Sequence, residues 1–158
     1  MSELNWIEVD RAALRHNLQA IRRLVGTETV ISPCIKANAY GHGLVETART
    51  LASAGADWLA VNSLAEAEAL RQAGVEAPIM VIGYVPASGV SRGLELDLRL
   101  LVYRSEIAGE LSRLALARGQ RTPVHIKIDT GMGRQGVLPA EARGFISELK
   151  ELQGIKIE

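Results

Sequence analysis

The sequence is poor in the residues that would commit it to several common classes. It has one cysteine, one phenylalanine and two tryptophans in 158 residues. A lone cysteine excludes an internal disulfide framework and fits a reducing compartment. Cys34 is therefore expected to serve as a small buried hydrophobe on a strand. There is no excess of either charge, since eighteen basic residues balance eighteen acidic ones. That removes the electrostatic footprint of a nucleic-acid or anionic-membrane binder. No apolar run reaches the length of about eighteen residues that a membrane span requires. The stretch Met1 to Asp10 has no basic segment ahead of an apolar core, so a secretory leader is not expected. The expected location is the cytoplasm. The histidines (His16, His42 and His125) have no metal-ligand spacing, and no metal is expected. Low-complexity linkers are also missing, and no domain boundary is expected inside the chain.

What the chain does have is rhythm. Residues 5–10 alternate apolar and polar and read as a strand. Asp10 can cap a helix over 11–25, where Leu14, Leu18, Ile21 and Val25 share a face, and Gly26 stops it. A strand over 29–35 precedes a helix over 44–54, closed by Gly55. Residues 57–61 form the next strand, and Ser63 with Glu66 makes a capping box for a helix to about 73. Strands follow at 79–84, 99–102, 124–129 and 155–157, separated by a loop or short helix over 87–96 and by helices over 106–118 and 139–152. Ser105 is the expected cap of the first of these two helices and Pro139 opens the second. Such strand–helix units predict parallel strands joined by crossovers. Periodicity alone leaves both a doubly wound sheet and a (β/α)8 barrel open.

Two strings stand out. The first is Lys36-Ala37-Asn38-Ala39-Tyr40-Gly41-His42-Gly43, where a strand ends on a lysine and gives way to turn-forming residues. The carboxyl end of a parallel strand is where α/β folds place their chemistry, and an amine there can act as a nucleophile. On position alone a strand-closing lysine is more often a solvated edge residue. The second string is Lys127-Ile128-Asp129-Thr130-Gly131-Met132-Gly133-Arg134. Its Gly-Met-Gly turn is only a weak match to a phosphate-binding loop, because no G-x-G-x-x-G follows a strand. Lys127 and Asp129 fall on one face of their strand, so a Lys127–Asp129 pair is one expectation.

The two strings, in this order and at this separation, resemble the bacterial alanine racemases, and the resemblance runs along the whole chain. It implies α/β architecture: a partial (β/α)8 TIM barrel of about five to six units over 29–158, with the C-terminal β domain of the family absent. Residues 1–158 would be the N-terminal part of a longer enzyme, and 5–10 a strand joining that β domain. A complete barrel needs about 250 residues, which agrees.

The resemblance further implies pyridoxal 5'-phosphate (PLP) as cofactor, held covalently by Lys36, with Tyr40 bonding its phosphate. Arg134 would work near the substrate carboxylate. Lys127 would be carbamylated, its negative charge holding the arginine. Asn38 and His42 belong to the motif without a chemical step of their own. The implied reaction interconverts L- and D-alanine for peptidoglycan precursors, in a homodimer. The base for the opposite face (a tyrosine of the second subunit) and the arginine at the pyridine nitrogen would lie beyond residue 158, so little activity is expected of the 158 residues alone. Related readings are a serine or broad-specificity racemase, a PLP-dependent decarboxylase on the same barrel and a non-catalytic PLP carrier.

Overall fold

The structure, a computed structural model, describes residues 6–158. Five parallel strands form one sheet: β1 (Leu59–Val61), β2 (Ile79–Val81), β3 (Leu98–Val102), β4 (Thr122–Ile126) and β5 (Ile155–Ile157). Their order in space is their order in the chain, β1-β2-β3-β4-β5. A doubly wound sheet reverses direction at a switch point, whereas a barrel wall adds each strand beside the last. The topology is therefore that of part of a (β/α)8 barrel.

Three helical segments precede β1, and one helix follows each of β1 to β4. They are α1 (Arg11–Val25), α3 (Leu44–Ser53), α4 (Leu64–Gln72), α5 (Ala87–Glu95), α6 (Ser105–Ala117) and α7 (Pro139–Glu151), with a single turn, α2 (Lys36–Tyr40), after α1. The helices pack in succession, α3 on α4, α4 on α5, α5 on α6 and α6 on α7. Burial alternates along β3, where Leu98, Leu100 and Val102 are buried and Arg99 and Leu101 are not. The buried set faces the helices, against Leu70, Val90, Leu111 and Leu149. Each such side chain contributes about 1.5–3 kcal/mol of burial free energy.

The inner face of the sheet is different in kind. Arg99, His125 and Trp58 meet there: the guanidinium lies 4.6 Å from the Trp58 ring centroid and the His125 ring 5.2 Å from it, edge-on. Glu158 accepts a hydrogen bond from Arg99 Nε at 3.0 Å. Burial lowers the His125 pKa, the Glu158 carboxylate raising it and Arg99 lowering it further.

Most helix limits match expectation within a residue or two. Asp10 caps α1 through Oδ1, which accepts from the amides of Ala12 and Ala13 at 2.8 and 3.1 Å. Ser63 and Glu66 complete the capping box of α4. Ser105 does not cap α6: Arg104 occupies that position, and the Ser105 hydroxyl donates instead to Glu148 at 2.7 Å.

Two expected strands fail. Trp6 to Asp10 form no strand, and residue 5 lies outside the described residues. Alternation supplies a face but not a partner, and no described strand pairs with this segment, which leaves Trp6 and Ile7 exposed. The segment 29–35 shrinks to a single parallel bridge between Cys34 and Ala60. Ile35 donates to Ala60 O at 2.8 Å and Ala60 to Pro33 O at 2.9 Å. The next bond toward the N-terminus would need an amide hydrogen on Pro33, which proline lacks. Asp57 compensates, accepting from Ile31 N at 2.7 Å while pairing with Arg22. Those two partners hold its carboxyl pKa below the ordinary value.

Candidate active site

The chain between Ile35 and Leu44 sets up the site, and it does so with an unusual backbone. Ala37, Asn38, Ala39 and Tyr40 all have φ between 52 and 56°. None is glycine, so α2 is a turn of left-handed helix. For L-residues this conformation costs about 1–2 kcal/mol per residue, and it survives only where surrounding contacts over-determine it. Those contacts are present. Ala39 N donates to Ile35 O at 2.8 Å, and Ala37 N to Glu66 Oε1 at 2.7 Å. Asn38 Oδ1 accepts from Leu44 N at 2.8 Å, so it satisfies an orphan amide of α3 that its N-cap, Gly43, cannot reach. His42 Nδ1 lies 2.8 Å from Ala39 O, which can only accept, so that nitrogen carries the hydrogen. Asn38 and His42 thus hold the turn together.

Across the sheet, the second string makes the opposite wall. After β4 the chain continues extended to Ile128, which bridges Val137, and the residues between fold into a closed loop. Asp129 is the hub of that loop. Its Oδ1 accepts from the amides of Gly131 and Gly133 at 3.0 and 3.1 Å, and its Oδ2 from Arg134 N at 3.1 Å. These bonds hold its carboxyl pKa below the usual aspartate value. The sign follows directly. A depressed folded pKa gives stability that is present above the ordinary aspartate range near 3.8 and is lost as the pH falls through the folded value. Protection of the amides of Gly131, Gly133 and Arg134, relative to the intrinsic exchange rate at each pH, should therefore fall on acidification below that range. Asp129→Asn should show faster exchange already at neutral pH and no acid step; an acid step of unchanged size in this variant would refute the assignment.

The two walls enclose a cavity of about 390 Å³ lined by Lys36, Lys127 and Arg134, three of the residues singled out in the sequence. Lys36 comes from the end of the segment beside β1, Lys127 from the end of β4 and Arg134 from the loop. Asn62, Ile82 and Gln135 also line it. The sequence carries a signal for Asn62 and Ile82 only in their place just after β1 and β2, at the strand ends where barrel sites gather. No described carboxylate forms an ion pair with Lys36, Lys127 or Arg134. The expected Lys127–Asp129 pair is not formed, because Asp129 is committed to the loop amides. Asp129 also lines the cavity, so three basic side chains face one carboxylate, and that carboxylate is bonded to loop amides.

Tyr40 is not among the cavity-lining residues. It is 61% exposed, with its hydroxyl 3.6 Å from Cys34 Sγ. That contact raises the phenol pKa, which keeps it neutral and able to donate. Cys34 itself is exposed, against expectation. The helices cover Ile31 and Ile35, and Cys34 alternates onto the opposite, inner face.

Comparison with known proteins identifies the family. Residues 9–158 match the family model described as alanine racemase, N-terminal domain. The alanine racemase of Desulforamulus reducens is 42% identical over 159 residues, covering 100% of this chain and 43% of its own length. That of Methanococcus maripaludis is 40% identical, covering 97% of this chain and 41% of its own. Among solved structures, alanine racemase of Clostridium difficile 630 in complex with cycloserine superposes with a TM-score of 0.87 at 39% identity, over 92% of this chain and 40% of the other. Alanine racemase from Bacillus anthracis with bound L-Ala-P gives 0.85 at 36% identity, over 97% and 40%. The chain thus spans about two fifths of the length of these relatives. On sequence and topology together, the chain belongs to the alanine racemase N-terminal domain family.

Proposed function

We propose that this domain is the cofactor-holding part of a PLP-dependent alanine racemase that interconverts L- and D-alanine. The observation that carries the proposal is the convergence of Lys36, Lys127 and Arg134 on one cavity. Its volume falls within the roughly 300–1,000 Å³ of ordinary small-molecule sites. The Lys36 amine and the Arg134 guanidinium suit a ligand bearing aldehyde, phosphate and carboxylate groups, so the residues present fit PLP and an amino acid. Once bound, PLP supplies an electron sink for the pair left on the substrate α-carbon.

The side chains divide the remaining work. The Lys36 amine would hold the cofactor, and its Nζ is the group placed to take or return a proton on one face of the substrate α-carbon. Arg134 presents a guanidinium fork that matches a carboxylate. Tyr40, neutral and exposed at the end of the turn, would donate to the phosphate. Lys127 would carry a carbamate whose negative charge holds Arg134, which leaves Lys36 and Arg134 as the groups that meet the ligand. The enzyme would act in the cytoplasm, as a homodimer, on the supply of peptidoglycan precursors.

Racemisation needs proton transfer on both faces of the α-carbon, and the residues here serve one. The 158-residue chain, loaded with PLP and reduced with borohydride, should carry the label on Lys36. Its alanine turnover should fall more than about tenfold below that of a full-length relative. Label on another residue would overturn the proposal, and turnover within tenfold would overturn the assignment of the second face to other residues.

A further inference from the structure

Glu66 does more than cap a helix. One carboxylate receives three backbone amides: Ala37 N on Oε1 at 2.7 Å, and Asn62 N and Ser63 N on Oε2 at 2.7 and 3.1 Å. The Ser63 bond belongs to the capping box. The other two come from different segments, Ala37 following Lys36 and Asn62 following β1. Both Lys36 and Asn62 line the cavity.

The pairing pattern explains why these two amides are available. The Cys34–Ala60 bridge uses Ile35 N to Ala60 O and Ala60 N to Pro33 O. One step further, a parallel ladder would run Asn62 N to Ile35 O and Ala37 N to Asn62 O. The left-handed turn carries the chain out of the ladder at Ala37, and Ile35 O accepts from Ala39 N at 2.8 Å instead. Two amides at the cavity edge thereby lose their strand partners. Glu66 collects both and takes the place of the lost rung, tying the backbone on the far side of Lys36 to the end of β1.

Resting on the proposed role of Lys36, we infer that Glu66 is the positioning residue that fixes the lysine at the cavity, acting through the Ala37 amide. The chemistry of the side chain makes this testable. Both oxygens must accept, so glutamine, which presents a donor on one side, cannot satisfy both segments. Aspartate keeps the charge and can serve the cap, but is a methylene too short to span to Ala37. Ser63→Ala removes the other half of the capping box and leaves the span to Ala37 intact.

The full chain, loaded with PLP, should be compared as wild type, Glu66→Gln, Glu66→Asp and Ser63→Ala. The readouts are amide exchange at Ala37 and the PLP dissociation constant from the visible absorbance of the lysine-bound cofactor. Both Glu66 variants should weaken PLP retention by about tenfold or more and speed Ala37 exchange by a similar factor. Ser63→Ala should leave both within about twofold of wild type. Equal effects in Ser63→Ala would overturn the inference, since loss of the cap would then account for them. Wild-type retention in Glu66→Asp would overturn it as well. Failure of wild type to take PLP on Lys36 would instead sink the proposed function, while Ala37 exchange would still report on the clamp.

Discussion

Lys36→Ala, in a racemase that carries this domain, is expected to lower alanine turnover by about 10,000-fold, the upper end of what a positioned proton-transfer group contributes. On the roles proposed for Lys36, the loss would have two sources, removal of the group that takes the proton and removal of the covalent hold on the cofactor. The same change leaves stability within about 0.5 kcal/mol of the parent, as for substitutions away from the core. Lys36 is half-buried at the cavity and pairs with no described carboxylate, and the left-handed run begins only at Ala37. Folding and chemistry therefore separate cleanly. The measurement is solvent deuterium exchange at the alanine α-carbon alongside a urea midpoint. An added small primary amine should restore part of the exchange. A variant that keeps more than about one hundredth of parental turnover would show that another group does the proton transfer.

Gly136→Ala has the largest expected effect outside the lysine, and it acts through the backbone. Gly136 has φ 128°, and a Cβ there would sit 2.5 Å from Asp129 N and 2.9 Å from Ile128 C. These are main-chain atoms and cannot swing aside. They are also engaged: Asp129 N donates to Val137 O and Val137 N to Lys127 O, both at 2.9 Å. The substitution must therefore open the base of the loop that carries Arg134. Strain and clash together cost on the order of 3 kcal/mol. Moving Arg134 by an ångström should lower kcat/KM by about 100-fold. Gly131→Ala is the comparison, since it has φ 144° but nothing within 4 Å of an added Cβ. It should carry strain alone and cost less. If the two variants unfold at the same urea concentration, the close approach at Gly136 is not what shapes the loop.

How far the sequence could be read divides by the range of the interactions involved. The helices were legible because their signals are local: Asp10 two and three residues from the amides it caps, Ser63 three from Glu66. Lys36, Lys127 and Arg134 were legible as members of two strings, and the fold then brings them to one cavity. The reach of Glu66 to Ala37 spans 29 residues of chain and leaves no periodic trace. The left-handed turn was hidden for a related reason. Alanine favours right-handed helix, and only contacts with Glu66, Leu44 and Ile35 force Ala37 to Ala39 the other way. Trp6 to Asp10 show the converse error, a convincing pattern of alternation with no described neighbour to pair with.

The plain sequential order of the strands has a consequence for assembly. Each strand meets only its predecessor and its successor, so every pairing closes a short loop, and units can dock one after another as the chain leaves the ribosome. The cavity does not share that economy. Lys36 lies near one end of the series and Arg134 beyond β4. Binding competence must therefore arrive late, and a nascent chain halted before the fourth strand would be well packed and yet blind to its ligand.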